Sequence, residues 1–469
     1  MTKDSRATLR GLKGNQIAIV LIVLGVASLL LYRLGVRAEG TKDIVWFLKL
    51  VGVQTVLYAP VAWLSLRARQ SRSLLIIGLV FAALFRFSIL FSPPYLSDDV
   101  YRYVWDGRVQ AAGINPYRYI PAEQSLASLR DEKIYPKINR REYAHTIYPP
   151  VAEAIFFVTT RLSESVTWMK ATMVAFEAIA IWAIIQLLVS FGLPRQRILI
   201  YAWHPLVVWE FAGSGHLDAM TIAFIALALL AHRKNAEIAT GLTLAFGTLV
   251  KFFPVVLSPA LYKRWSWKLP LAFAVTIVVA YLPFLSVGAS GAFGYLPGYA
   301  NEQGLMSGEQ FYVLSLARKV LGANVPTGAF LIGAVLLMSA IAAFGPAFLP
   351  VPPGSTDPLA GALLKDRGAD TYVKHAALLA TVVTVLFAPH YSWYFAWLVP
   401  FLCFVPRLSV FYLTAASFVL YGSWLGDTPH QVLRLNRVLY LPFALLVVLE
   451  VLARRWKSVV TQPTLPERM

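Results

Sequence analysis

The sequence predicts an all-α polytopic membrane protein, a bundle of about thirteen transmembrane helices, some of them short or re-entrant. Of its 469 residues, 58% are hydrophobic and 14% are charged, whereas soluble globular proteins carry about 25% charged residues. Several apolar runs also approach the roughly 20 residues that a helix needs to cross about 30 Å of hydrocarbon. These runs are Ile17–Leu34, Ile44–Leu66, Leu74–Phe91, Val166–Phe191, Leu269–Leu285 and Ala329–Leu349.

The net charge of +18, from 42 Lys and Arg against 24 Asp and Glu, is confined largely to the segments between apolar runs. The clusters are Lys3, Arg6, Arg10 and Lys13; Arg67, Arg69 and Arg72; Arg195 and Arg197; Arg233 and Lys234; Lys263, Arg264 and Lys268; and Arg454, Arg455 and Lys457. This spacing is typical of cytoplasmic loops that face anionic lipid headgroups. The charge therefore indicates topology, and a nucleic-acid partner is excluded.

The basic start and the run Ile17–Leu34 superficially match a secretory signal peptide. The run is too long, and "GVRAEG" is a poor cleavage site, so we expect a retained first helix. The single cysteine, Cys403, lies within an apolar run. It excludes an internal disulfide and gives no support to cysteine catalysis or a cysteine metal site.

Counting helices from both ends places residues 93–149 on the outer face and both termini in the cytoplasm. At more than 50 residues this is the longest polar loop, and such loops usually have a function. The two counts agree only if Pro150–Leu162 and Phe311–Leu321 do not cross, so we expect re-entrant or interfacial helices there. The Pro- and Gly-rich segment 350–371 reads as a cytoplasmic linker within a single integral-membrane domain, residues 1–469.

The outer loop opens with "YLSDDVYRYVWDGRVQAAGINPY", which predicts an amphipathic helix from Asp98 to Gly113 lying along the surface. Ser97 or Asp98 is a good N-cap, and the glycine and following proline turn end the helix. The predicted apolar side carries Val100, Tyr103 and Val104, the polar side carries Arg102, Asp106 and Arg108, and the rings expected at headgroup height are Tyr101, Tyr103 and Trp105.

Asp98 and Asp99 form an adjacent acid pair where the chain leaves the membrane. Capping explains one acid and does not call for the second. A partly desolvated carboxylate beside a like charge has a raised pKa, which suits a base that removes a proton from a hydroxyl. Both interpretations stay open at this point, and the second favours a catalytic site.

Ionisable residues also interrupt apolar segments further along the chain. Lys251 lies just before Pro254 in hydrocarbon surroundings, so it needs an anion, either a ligand phosphate or a protein carboxylate such as Glu210. Glu177 and Glu210 read as structural partners. The break Gly213–Gly215 precedes His216 and Asp218, which is either a polar turn or part of a site.

The acidic stretch, "TIYPPVAEAIF", "WHPLVVWEFAGSGHLDAM", "LVKFFPVVLSP" and "PHYSWYFAWLVP" together resemble the GT-C class of polytopic glycosyltransferases. They are most similar to bacterial polyprenyl-phosphate-mannose-dependent mannosyltransferases, and the resemblance covers most of the chain. It implies inverting transfer of a hexose, mannose in the nearest relatives, from a lipid-phosphate donor to a lipid-linked or glycan acceptor. The chain would then act at the outer face of the inner (plasma) membrane.

The resemblance implies that Asp98 is the base and that Asp99 supports it, although the choice between the two stays open. The candidates for binding the donor phosphate are Lys251, Arg102, Arg108, His216 and His390. The candidates for the substrate pocket are Tyr101, Trp105, Asn115, Tyr117, His145, Tyr148, Asp218 and Tyr391.

A metal site built from Asp98, Asp99, Asp106 and His145 is the alternative use of these acids. Successive helix residues point about 100° apart, which argues partly against it, and we expect no required metal or other cofactor. A transporter or lipid flippase is the alternative function. It predicts ionisable residues in paired, broken helices of two related halves, whereas here the carboxylates cluster in one outer loop.

Overall fold

The computed structural model describes residues 14–37, 44–68, 70–94, 96–303, 311–322, 325–345, 371–388, 391–426 and 429–460. Throughout these ranges the regular elements are helical, which confirms the predicted all-α class. Several sequence predictions fall at least in part outside the described residues: the basic cluster Lys3–Lys13, Arg69, the end of the apolar run Ala329–Leu349, nearly all of the 350–371 linker, and His390.

The α-helices are numbered in chain order. They are α1 (Gly14–Arg37), α2 (Ile44–Arg67), α3 (Arg72–Leu90), α4 (Asp99–Ala111), α5 (Pro150–Leu162), α6 (Val166–Ser190), α7 (Leu199–Ala202), α8 (Pro205–Val208), α9 (Asp218–Arg233), α10 (Glu237–Thr248), α11 (Ser258–Leu261), α12 (Lys268–Tyr281), α13 (Leu296–Glu302), α14 (Tyr312–Leu321), α15 (Thr327–Phe344), α16 (Thr371–Phe387), α17 (Val399–Leu402), α18 (Leu408–Ala416) and α19 (Pro429–Val460).

Tighter or wider helical turns join several of these helices. A π-helix spans Trp209–Gly213. The 3₁₀ segments are Gln124–Leu129, Tyr135–Lys137, Arg195–Ile198, Phe253–Leu257, Leu282–Val287, Gly291–Phe293, Ser392–Leu398 and Ser417–Leu425. Many of them contain or follow a proline, which cannot donate the backbone hydrogen bond of a continuous helix.

Eight of the described helical segments are long and apolar enough to cross a membrane. They are Asn15–Val36, Ile44–Arg67, Arg72–Leu90, Val166–Ser190, Lys268–Val287, Thr327–Phe344, Leu408–Leu425 and Gln431–Ala453. The predicted total of thirteen is therefore not confirmed as a number. Between α6 and α12 the apolar chain is divided into shorter helices, of which α9 has 16 residues and α10 has 12.

The two segments expected not to cross are indeed short helices. Helix α5 has 13 residues and α14 has 10, so they extend roughly 20 Å and 15 Å at the usual rise per residue. Both are shorter than the roughly 30 Å hydrocarbon core. Each is too short to cross as a straight helix, and the re-entrant or interfacial placement stays a prediction.

A buried ion pair joins the membrane-spanning helices α3 and α6. The Arg86 guanidinium donates to both carboxylate oxygens of Glu177, one of them at 2.8 Å, and also to the carbonyls of Ala82 and Ala202, each at 2.8 Å. Glu177 is therefore a structural partner, as the sequence indicates. Such a pair is retained in an apolar interior because removing one member leaves the other uncompensated.

Helix α4 forms close to the predicted bounds, but the prediction that it lies along the surface is wrong. Arg102 and Asp106, expected on a polar side, are 4% and 1% exposed, and Trp105, expected at headgroup height, is 1% exposed. Helices α5 and α6 and the 3₁₀ turns of the outer loop pack around α4. Burial is possible because the two polar side chains neutralise each other, Arg102 Nε donating to Asp106 Oδ1 at 2.7 Å.

Candidate active site

The acid pair stands at the N-terminus of α4. Asp98 occupies the N-cap position, but its carboxylate caps no backbone N–H in the described structure. The Ser97 hydroxyl instead accepts from the backbone N–H of Asp99 at 3.2 Å. Capping thus accounts for Ser97 and leaves both carboxylates for another use.

Both acids line a cavity of about 220 Å³ at this end of α4. The residues around it belong to the acid pair, the outer loop, helix α13 and four further places in the chain, near residues 217, 251, 391 and 424. They are Leu96, Ser97, Asp98, Asp99, Tyr103, Asn139, Arg140, Ile147, Tyr148, Leu217, Lys251, Tyr299, Tyr391, Trp393, Tyr394 and Trp424. An apolar and aromatic cavity with a few converging charges is the usual form of a small-molecule site.

The two carboxylates have different surroundings. Asp98 is an exposed residue, but partial desolvation of its carboxyl, followed by the negative charge of Asp99, raises the pKa of that carboxyl above the ordinary value. Asp99 accepts a hydrogen bond from Asn139 Nδ2 at 2.7 Å. Because partial desolvation and a like charge both favour the neutral acid, Asp98 is a stronger base than an ordinary aspartate.

Lys251 and Arg140 bring positive charge to the same cavity. Lys251 Nζ donates to Asp218 Oδ2 at 2.7 Å and Oδ1 at 2.9 Å, and lies 4.5 Å from the Tyr394 ring centre. Its carboxylate partner is therefore Asp218 rather than Glu210. Arg140 Nε donates to Glu302 at 2.6 Å while the residue still lines the cavity.

Aromatic side chains form much of the cavity wall. Tyr391 stacks on Trp393 with ring centres 4.6 Å apart, and the hydroxyls of Tyr299 and Tyr394 are 2.9 Å apart. The backbone of Tyr148 is fixed because the Tyr117 hydroxyl donates a hydrogen bond to the Tyr148 carbonyl oxygen at 2.5 Å. The cavity therefore has rigid rings on several sides and charged groups near the acid pair.

Residues 8–267 match the family described as alpha-(1→6)-mannopyranosyltransferase, N-terminal domain. The match covers more than half of the chain, including the acid pair, Arg140, His216 and Lys251. The chain belongs to this mannosyltransferase family. Neither the curated proteins nor the solved structures contain a match to it. With the membrane-spanning helices, family membership makes this a membrane glycosyltransferase that uses a sugar donor and an acceptor.

Of the side chains predicted for the site of this mannosyltransferase, the cavity brings five together. They are Asp98, Asp99, Tyr148, Lys251 and Tyr391. Asp218 lies directly behind Lys251, and His216 lies behind Asp99, its Nδ1 being 3.9 Å from Asp99 Oδ2. Asp218 and His216 are buried. They contact the cavity-lining residues Lys251 and Asp99 but do not line the cavity themselves.

Arg102 and Arg108 do not line the cavity, although both were predicted to bind the donor phosphate. Arg102 is buried against Asp106 and donates to the Ala144 carbonyl at 3.1 Å. Arg108 pairs with Asp131 at 2.7 Å and Glu164 at 2.8 Å. Their charges are used to fasten the outer loop, so the structure gives no support to their predicted role.

The other predicted pocket residues also lie outside the cavity lining. Trp105 packs 5.5 Å from the Tyr135 ring, and the Tyr101 hydroxyl accepts from Lys137 Nζ at 3.4 Å. Asn115 Nδ2 donates to the Phe284 carbonyl and the Ser286 hydroxyl, each at 2.9 Å. The remaining two are Tyr117, which supports Tyr148, and half-buried His145. They shape the loop around the site.

The alternative metal site is not assembled. Asp106 is committed to Arg102, and neither it nor His145 lines the cavity with the acid pair. Within the described ranges, no three His, Cys, Asp or Glu side chains are grouped as ligands of one ion would be. That the reaction needs no metal stays a prediction.

Sequence reasoning missed most of the cavity wall. Trp393 and Tyr394 stand in the quoted stretch "PHYSWYFAWLVP" beside Tyr391, so their position was a usable signal. Arg140 and Asn139 lie in a polar part of the outer loop without periodicity. Tyr299 is more than 150 residues further along the chain, and only folding brings it to the acid pair.

Proposed function

We propose that this mannosyltransferase moves mannose from a polyprenyl-phosphate donor to a hydroxyl of a lipid-linked or glycan acceptor. The observation that carries the proposal is that two carboxylates and two cations line one aromatic cavity. Transfer from a lipid phosphate needs a base for the acceptor and positive charge for the leaving group, and the cavity supplies both. The family name supports an α-(1→6) linkage for the product.

Asp98 is the proposed base. Its carboxylate takes the proton of the acceptor hydroxyl while the hydroxyl oxygen forms a bond to the anomeric carbon of mannose. The bond from that carbon to the phosphate oxygen breaks, and its electron pair leaves with the lipid phosphate. Because attack comes from the face opposite the phosphate, the configuration at the anomeric carbon inverts.

Lys251 and Arg140 are the proposed phosphate-binding residues. Fixed positive charge near the leaving oxygens stabilises the charge that grows there in the transition state. Each cation now pairs with a carboxylate, Lys251 with Asp218 and Arg140 with Glu302. These acids hold the cations in place beside the cavity, so the phosphate meets groups that are already oriented.

We place this reaction at the outer face of the inner membrane, within one catalytic domain of residues 1–469. The acid pair follows α3, which runs outward if the basic cluster Arg67–Arg72 is cytoplasmic. A polyprenyl tail can then remain among the exposed apolar side chains of the membrane-spanning helices while its phosphate enters the cavity. The reaction is proposed to use protein side chains without a metal.

The test uses purified enzyme in lipid nanodiscs with labelled polyprenyl-phosphate mannose as donor and octyl α-mannoside as probe acceptor. We expect Asp98→Asn to lose turnover by at least about 100-fold, the usual contribution of a positioned base. Glu132→Gln, an exposed acid of the same loop, is the matched control and should retain wild-type turnover. Full activity of Asp98→Asn, or transfer from GDP-mannose alone, would contradict the proposal.

A further inference from the structure

A buried imidazole and carboxylate stand behind the acid pair. His216 is 1% exposed and Glu210 is 0% exposed. His216 Nδ1 lies 3.9 Å from Asp99 Oδ2, and its Nε2 lies 3.5 Å from Glu210 Oε2. The imidazole therefore lies between the carboxylates of Asp99 and Glu210.

The polar atoms on the inner side of His216 face each other without another partner. Among the described residues, neither His216 Nε2 nor Glu210 Oε2 makes a hydrogen bond to a third group. Leaving two such buried atoms unsatisfied costs about 1–3 kcal/mol each, whereas one shared proton satisfies both. Glu210 is fixed for this contact because its Oε1 accepts from the Tyr421 hydroxyl at 2.8 Å.

The ring of His216 is also fixed against the cavity wall. It stacks on Trp393 with ring centres 4.2 Å apart and an interplanar angle of 22°. The backbone before it turns at Gly215, whose φ is +79°, a conformation that favours glycine. His216 is thus held in one orientation by the turn, the indole ring and Glu210.

We propose that His216, fixed by Glu210, is a positioning residue that directs its Nδ1–H toward Asp99, 3.9 Å away, and keeps the Asp99 carboxylate oriented beside Asp98. A proton between Glu210 and Nε2 leaves the imidazole's own proton on Nδ1, facing Asp99. The negative charge of Asp99, held at this position, then raises the basicity of its neighbour, Asp98. This inference rests on the proposed function and assigns the two acids different roles.

The pH response of this arrangement depends on every charged or titratable group around His216. They include Asp99, Glu210, Asp218, Lys251 and, through Glu210, Tyr421, together with Lys170 beside Gly215 and Tyr103 beside Leu217. Lys251 and Asp218 form an ion pair with each other. His216 faces Asp99 from the protein interior through Nδ1 at 3.9 Å.

The experiment compares rate against pH for the wild type, Asp99→Asn, His216→Phe and His216→Asn. Without the imidazole, the Asp99 carboxylate is no longer held in its orientation beside Asp98 and raises the basicity of Asp98 less. We therefore expect His216→Phe to move the acid limb to lower pH by about one unit, the low end of the effect of a nearby charge. The asparagine amide nitrogen can replace Nδ1, so His216→Asn should keep the limb near its wild-type position.

The double variant His216→Phe with Asp99→Asn separates positioning from a general structural role. If His216 acts through Asp99, the double variant shows the same shift as Asp99→Asn alone, because coupled sites are not additive. Shifts that add, or an unshifted acid limb in His216→Phe, would overturn the inference. His232→Gln, at another histidine packed on an aromatic ring, Tyr372, is the control and should keep the wild-type profile.

Two further comparisons keep the result interpretable. If His216→Phe does not fold, Glu210→Leu and Glu210→Gln replace it; only the leucine variant should shift the limb, since glutamine still donates to Nε2. If Asp98→Asn is inactive but His216→Phe and Glu210→Leu keep the wild-type pH profile, this inference is overturned while the proposed function stands. Full turnover by Asp98→Asn overturns the proposed function and the inference together.

Discussion

Two adjacent aspartates take different environments because α4 begins between them. Both line the cavity, but Asp98 precedes the helix and is exposed, whereas Asp99 is the first helical residue, is partly buried and accepts from Asn139 at 2.7 Å. Neighbouring acids in unlike surroundings are often found in complementary catalytic roles. This asymmetry favours Asp98 as the base.

The raised pKa of Asp98 gives the activity a defined dependence on pH. A base works when deprotonated, so we expect turnover to be constant above its pKa and to fall as pH falls through it. Because the pKa is raised by partial desolvation and by Asp99, this fall should begin above the ordinary range near 3.9. The measurement is single-turnover rate against pH in the nanodisc assay.

Asp99→Asn provides the matched comparison for that profile. It removes the neighbouring negative charge but keeps the size of the side chain, so the acid limb should move to lower pH. An acid limb that moves upward, or does not move, would contradict the assignment of Asp98 as the group that is titrated. Asp98→Asn should have no comparable limb to measure.

At the scale of elements, α4 reaches its position through close contact with α5. A Cβ added at Gly107 would lie 2.5 Å from the Phe156 carbonyl oxygen and 2.6 Å from Thr160 Oγ1. The absence of a side chain therefore allows the two helices to touch backbone to backbone. The carboxylates of the site depend on this contact because they stand at the start of α4.

We expect Gly107→Ala to force α4 and α5 apart and to lower the free energy of unfolding by about 1–3 kcal/mol, as overpacking does. The measurement is the thermal melting midpoint of the purified protein, with mannosyl transfer as a second readout. Gly52→Ala in α2 is the matched control, since a Cβ there meets nothing within 4 Å. An equal effect of the two changes would refute the close-contact explanation.

The whole molecule combines eight described segments able to span a membrane with a long polar loop folded over one end of the bundle. Ion pairs such as Arg108 with Glu164 and Arg140 with Glu302 fasten this loop to other elements. The cavity lies under it, so substrate access depends on which side of the membrane the loop occupies.

Cysteine labelling tests that sidedness. Glu132→Cys, in the loop predicted to lie outside, should react with a membrane-impermeant maleimide in intact cells, whereas Lys234→Cys, in the basic cluster of Arg233 and Lys234, should react only after permeabilisation. Both positions are exposed, and the native Cys403 is 0% exposed and should not react. The reverse labelling pattern would place the site on the cytoplasmic face and contradict the proposed topology.

The sequence by itself determined the membrane class, the all-helical fold and the acid pair, because hydropathy, helix length and capping are properties of contiguous residues. Family membership then agreed with the resemblance carried by those motifs. Only the tertiary structure decided which charges meet. In the folded chain Lys251 pairs with Asp218, and Arg102 and Arg108 fasten the outer loop. Arg140 and Tyr299 line the cavity. A charge can be recognised from sequence, but its partner is set by packing between residues that are far apart along the chain.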